Sequence, residues 1–181
     1  MSGSGDAVAP RADGLIDDMS AAEPVAATGA RWEALSDRVM GGISTPAMTR
    51  ETIAGRPAQR LTGRVRLENN GGFLQMALDL DPERRPVDAS DWRGLRLSVI
   101  GNDESYGLHL RTTDVARPWQ SYRASFAAGP EWRTLYLPFE SFAPHRIEAP
   151  LAVDRLTRLG LVAIGRAFDA DLAVSRIGFY R

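Results

Sequence analysis

Hydrophobic residues along this chain recur at every second position far more often than at every third or fourth. Leu95, Leu97 and Val99 alternate with Arg96 and Ser98. Tyr106, Leu108 and Leu110 alternate with Gly107, His109 and Arg111, and Tyr122, Ala124 and Phe126 alternate with Arg123 and Ser125. A period of two sends successive side chains to opposite faces of a strand, so each run has one apolar face and one more polar face. Further short strands are predicted over 48–53, 59–67, 73–80, 133–137, 159–164 and 172–179. Turn chemistry separates the runs at Ala54-Gly55-Arg56-Pro57, Gly101-Asn102-Asp103-Glu104 and Ala128-Gly129-Pro130. Many short strands without helical crossovers predict an all-β fold, an antiparallel sandwich and not a parallel α/β sheet. The helical candidates are brief, such as 152–158, where Val153, Leu156 and Thr157 would share a face. No internal repeat is visible.

Two segments stand out from this alternation: Asp37-Arg38-Val39-Met40-Gly41-Gly42-Ile43-Ser44 and Asn69-Asn70-Gly71-Gly72-Phe73. Each sets a glycine pair against an apolar residue, the composition a β-protein uses where the backbone bends sharply or packs closely under a side chain. The first lacks the Gly-Lys-Ser/Thr ending of a phosphate loop and opens no helical pattern, so it does not read as a nucleotide cradle.

A length of 181 residues suits a single domain, expected here over 14–181 after a flexible tail at 1–13 that is small, polar and punctuated by Gly and Pro. The chain has no cysteine, which removes disulfides, thiolate catalysis and cysteine-based zinc sites. All 22 basic residues are arginine, so Schiff-base chemistry from a lysine of this chain is also excluded. A net charge of −1 argues against a mainly electrostatic attachment to nucleic acid or to an anionic membrane. No stretch has the basic start and apolar core of a secretory signal or the length of a membrane span. The expectation is a cytoplasmic protein, held at the inner membrane only through a partner.

The order of motifs resembles the complex I intermediate-associated protein 30 family. It runs from Leu15-Ile16-Asp17-Asp18-Met19 through Trp32, Val39-Met40-Gly41-Gly42, Asn70-Gly71-Gly72-Phe73 and Trp92-Arg93-Gly94-Leu95. It continues with Tyr106-Gly107-Leu108-His109-Leu110-Arg111, with Trp132 to Phe139 and with Ile177-Gly178-Phe179-Tyr180. One departure is His145-Arg146-Ile147-Glu148, where the family pattern has an Arg-Gly pair after Phe142. The resemblance implies a jelly-roll β-sandwich similar to galactose-binding-like domains. It also implies a non-enzymatic assembly, chaperone or scaffold factor whose partners are subunits or assembly intermediates of respiratory complex I (NADH:ubiquinone oxidoreductase). No cofactor is implied. Galactose-binding-like domains often carry a structural calcium, for which Asp17 or Asp18 is the candidate ligand.

The inventory of reactive residues supports no catalytic centre. His109 and His145 do not form a two-histidine zinc motif, no Gly-x-Ser-x-Gly elbow is present, and carboxylate pairs such as Asp79 and Asp81 suit strand ends and turns. Candidate binding residues follow from the alternation instead. If Leu108 and Leu110 face the core, His109 and Arg111 face outward, and Arg123 does so on a neighbouring strand. Between these strands, the loop Asp114 to Gln120 carries Trp119, which can stack on a sugar ring, anchor a protein interface or fold back as a lid. Trp32, Trp92 and Trp132 sit at strand starts and are expected in the core. Arg38 and Asn70 flank the glycine turns, where they could bind a ligand or tie down their own loops.

Two functional readings therefore stand. An assembly factor acting through protein–protein contacts should show a contiguous apolar and aromatic patch. A module binding a carbohydrate or another small polar ligand should show a concave groove lined by Trp119, Arg111 and His109.

Overall fold

Among the described residues, twelve strands follow one another: β1 (Leu15–Asp17), β2 (Glu33–Ser36), β3 (Ala47–Ile53), β4 (Arg56–Val65), β5 (Phe73–Asp79), β6 (Gly94–Gly101), β7 (Glu104–Thr112), β8 (Ser121–Ala128), β9 (Arg133–Pro138), β10 (Ala143–His145), β11 (Leu156–Ile164) and β12 (Phe168–Tyr180). The computed structural model describes residues 6–181, apart from the side chains of Val39, Met40 and Asn70. The strands form two six-stranded sheets. One runs β3-β4-β12-β6-β9 with β1 added to β12, and the other runs β10-β8-β7-β11-β5-β2. Every pairing between these strands is antiparallel, as the alternation predicts.

The alternating apolar residues meet between the sheets. Leu95, Leu97 and Val99 from β6 and Leu61, Leu172 and Ile177 from β4 and β12 are buried opposite Leu108, Leu110, Leu161, Leu74 and Met76 of the second sheet. Burying a Leu or Ile side chain contributes about 1.5–3 kcal/mol relative to leaving it in water, so this layer drives the assembly. It also determines register, since a slip of one residue would turn each apolar set outward.

The expectations of a helix at 152–158 and of three core tryptophans need correction. No α-helix forms over 152–158: a short 3-10 turn at Val153–Arg155 leads directly into β11, and Leu156, expected on a helix face, is a fully buried strand residue. Of the tryptophans expected in the core, Trp32 is fully buried and Trp92 packs against the core edge, whereas Trp132 lies outside it. Trp132 is half-buried on the β3–β4 side, where its indole N–H donates to the Ile53 carbonyl and Arg56 covers its ring. Within the segment 1–13, Val8 exchanges backbone hydrogen bonds with Pro86 and Asp88. At Asp17, one carboxylate oxygen accepts from the Trp32 indole and from Arg50, and the other from the Met19 amide.

The two glycine segments form one structure, with Asp37 at its centre. Its carboxylate accepts hydrogen bonds from the Ser44 amide and hydroxyl and from the amides of Gly72 and Phe73. Burial pushes the Asp37 carboxyl up, but these donors outweigh burial and hold it below the ordinary carboxylate value. The glycines divide the work. Gly41 (φ 89°) and Gly72 (φ 129°) take left-handed backbone conformations. A Cβ on Gly42 would lie 2.5 Å from the Asp37 carboxyl carbon, and one on Gly71 would lie 2.6 Å from a carboxylate oxygen.

Candidate functional site

The outer face of the β10-β8-β7-β11-β5-β2 sheet holds a groove of about 560 Å3. Strand register dictates what its floor presents. Arg123 on β8 pairs with His109 on β7, His109 with Gly160 on β11, and Gly160 with Ala77 on β5. In a neighbouring row Arg111 pairs with Arg158, and Arg158 with Asp79. On the other side of the His109 row, Val162 pairs with Gln75 and Gln75 with Leu35, and beyond them Ile164 pairs with Phe73. The groove is therefore graded from arginine-rich at one end to apolar at the other.

Small residues make room for it. A Cβ on Gly160 would lie 2.6 Å from the Gln75 side-chain oxygen, so Gln75 can lean over β11 only because position 160 has no side chain. A Cβ on Gly107 would lie 3.0 Å from Nε2 of His109, so the imidazole lies back along its own strand.

Trp119 stands over this floor, 51% exposed on the loop between β7 and β8, and lines the groove with Pro118. It is not folded back as a buried lid. Gln120 braces its loop, with the side-chain oxygen accepting from the amides of Ala116 and Arg117 and the side-chain nitrogen donating to the Arg146 carbonyl. The stretch that departs from the family pattern thus buttresses the Trp119 loop, and its first residue, His145, pairs with Ser121 at the end of β10.

The charges on the floor are unequally matched. Arg158 donates to Asp79 at 2.8 Å and reaches Glu33 at 3.5 Å. Arg123 donates to the Ser121 hydroxyl at 2.9 Å, and Arg111 makes a 3.5 Å contact with the Arg117 carbonyl. Among the described residues, neither Arg111 nor Arg123 has a carboxylate within ion-pair distance. Burial, and then the nearby Arg158, lowers the Arg111 guanidinium from its ordinary value; burial and Arg146 do the same to Arg123. Both remain protonated at any ordinary pH. His109 is pushed down to about 3, first by burial and then by the charges of Arg123 and His145, and is neutral near pH 7.

Four sequence candidates, His109, Arg111, Trp119 and Arg123, thus line one groove. Arg38 lies elsewhere: its guanidinium donates to the Ser44 carbonyl and, at 2.8 Å, to the Thr45 hydroxyl, tying down its own loop. The Asn70 side chain lies outside the described residues. Sequence reasoning missed Arg158, Asp79, Gln75, Phe73 and Val162. The alternation within β11 and β5 could have placed them on outward faces, but nothing local says that β11 sits between β7 and β5. Among the described residues, no cluster of three or more metal-ligating side chains was found, and no helix is long and apolar enough to cross a membrane.

Comparison with known proteins bears on both fold and family. The family 11 carbohydrate-binding module from Clostridium thermocellum, solved with a β-1,3-1,4-mixed-linked tetrasaccharide, superposes with a TM-score of 0.68 at 13% identity, covering 92% of this chain and 94% of that one. A family 30 carbohydrate-binding module of a cellulosomal cellulase from the same organism gives 0.54 at 17% identity, over 75% of this chain and 88% of that one. An exo-β-agarase gives 0.56 at 12% identity, covering 92% of this chain and 25% of the agarase. At these identities the likeness shows the fold, a jelly-roll sandwich of galactose-binding-like type. No curated protein matches the chain. The family profile described as complex I intermediate-associated protein 30 (CIA30) matches residues 22–174, and the chain belongs to that family.

Proposed function

We propose that this protein is a non-catalytic binding module that takes a carbohydrate in the groove on its β10-β8-β7-β11-β5-β2 face. The observation that carries this reading is the position of Trp119, half exposed above a floor of Arg111, Arg123 and neutral His109. An indole face packs on the C–H face of a sugar ring, and the arginines below it donate to hydroxyl or acidic oxygens. The apolar end at Phe73, Val162 and Ile164 gives ring faces a second surface to cover. The fold shared with carbohydrate-binding modules is compatible with such a ligand, while the groove's own residues have to supply its specificity. Affinity electrophoresis through gels containing soluble polysaccharides tests the reading. Retardation in at least one gel, reduced roughly tenfold in affinity by Trp119→Ala, is the expected result. Free migration in every polysaccharide would overturn it.

Family membership favours a second reading, in which the chain contacts complex I assembly intermediates. Among the described residues, the exposed large hydrophobics are Leu67 in the connection after β4, Trp119 in the β7–β8 loop and Tyr136 on β9, three separate stretches of the chain. The assembly reading therefore also rests most on the Trp119 rim. Native-gel fractionation of membranes from source cells with and without the gene separates the two. Co-migration with partial complex I modules, and loss of the assembled complex without the gene, supports assembly; normal assembly in the deletion removes it.

A further inference from the structure

We infer that the ligand of this groove is an anionic saccharide, one whose rings carry a carboxylate or a sulfate ester, held by the guanidinium groups of Arg111 and Arg123. The inference rests on the carbohydrate reading above and adds the charge of the ligand to it.

The groove lining is unbalanced in charge: among the described residues, Arg84, Arg111, Arg123 and Arg158 face two acids, Glu33 and Asp79. Asp79 is already engaged, at 2.8 Å by Arg158 and at 3.4 Å by Arg84. Arg158 shows what a satisfied arginine looks like on this floor, with one arm donating to Asp79 at 2.8 Å and the other reaching Glu33 at 3.5 Å. Among the described residues, Arg111 occupies the adjacent register position on β7 without a carboxylate partner, and Arg123, one strand further on, donates to a hydroxyl and not to a carboxylate. Partial desolvation of a cation is unfavourable unless an opposite charge compensates it, and both guanidiniums are lowered by burial and by a neighbouring arginine. The fork geometry of guanidinium suits the paired oxygens of a carboxylate or sulfate better than a lone hydroxyl. His109 pairs with Arg123 across the strands, lies two residues from Arg111 on β7 and is neutral, so it can accept or donate one hydrogen bond without repelling an acidic ring. Trp119 supplies a stacking face that any pyranose could use.

The test is isothermal titration calorimetry of the full chain against three probes: oligogalacturonate, a sulfated galactan oligomer and a neutral mixed-linkage glucan oligomer. At least one acidic oligomer is expected to bind roughly tenfold or more tightly than the neutral one, with affinity falling as salt rises. Which acidic oligomer binds better identifies the anion. Arg111→Gln and Arg123→Gln should each lose roughly tenfold in affinity for the acidic oligomer, and Arg111→Lys, which keeps the charge but not the fork, should recover only part of it. Arg64→Gln, on the opposite sheet, should bind like the parent, and unchanged thermal melts would show that the variants fold. Equal or tighter binding of the neutral glucan overturns the anionic assignment while leaving the carbohydrate reading in place. Absence of binding to all three overturns the anionic assignment, and free migration in the polysaccharide gels would then remove the carbohydrate reading as well.

Discussion

The carboxylate of Asp37 accepts a hydrogen bond from the backbone amide of Gly72, 35 residues further along the chain. Through this contact the two glycine segments become one joint, which ties the turn after β2 to the start of β5. Because β2 and β5 form the far side of the groove sheet, the joint supports the wall carrying Leu35, Phe73 and Gln75.

Asp37→Ala would leave the Ser44 amide and hydroxyl and the Gly72 and Phe73 amides without their acceptor. We expect a loss of about 3–5 kcal/mol, from several charge-assisted hydrogen bonds at a buried site. Urea unfolding measures it, and a loss under 1 kcal/mol would be inconsistent with the joint.

The two glycines of the first pair should fail for different reasons. Gly42→Ala drives a methyl into the Asp37 carboxyl and should cost about 2–4 kcal/mol, whereas Gly41→Ala meets nothing within 4 Å and should cost only the roughly 1–2 kcal/mol of left-handed backbone. Thermal melts of both variants rank them, and the reverse order would contradict the steric account.

Arg50 and Asp17 are buried together, with side chains 5% and 1% exposed. Removing one partner leaves a charge without compensation, so Arg50→Met alone should cost about 3–5 kcal/mol. Combining it with Asp17→Asn should cost clearly less than the sum of the two single changes. Strict additivity in that double-mutant cycle would show that the pair is not coupled.

His109 makes stability depend on pH. Its folded value of about 3 lies below the ordinary 6.5, so between those limits the unfolded chain binds a proton that the folded chain refuses. Its contribution is constant above pH 6.5 and is lost progressively as pH falls toward 3, reaching a penalty of about 2 kcal/mol at pH 5. Unfolding free energies measured at pH 7 and pH 5 for the parent and for His109→Gln check this. The parent should lose more between the two, and identical slopes would dismiss a buried neutral His109.

What the sequence determined by itself is the strand alternation and the side of each strand that turns inward. Period two is a local property, and it placed Leu108 and Leu110 in the core and His109, Arg111 and Arg123 on the opposite face before any neighbour was known. The motif order carried the family in the same way. Short edge strands such as β2 and β10 escaped notice because three or four residues show too little periodicity, and 152–158 read as helix because a brief apolar cluster fits either period. Tertiary structure alone decided that β11 lies between β7 and β5, which brings Arg158, Gly160 and Val162 beside His109 and Arg111 and turns an outward face into a groove. It also decided that Asp37 would hold both glycine turns, that Arg38 would serve its own loop and that Trp132 would lie outside the core. The physical reason is the same in each case: side-chain direction follows from the local backbone, whereas the neighbours a side chain meets follow from strand order, which is settled only when the two apolar faces pack together.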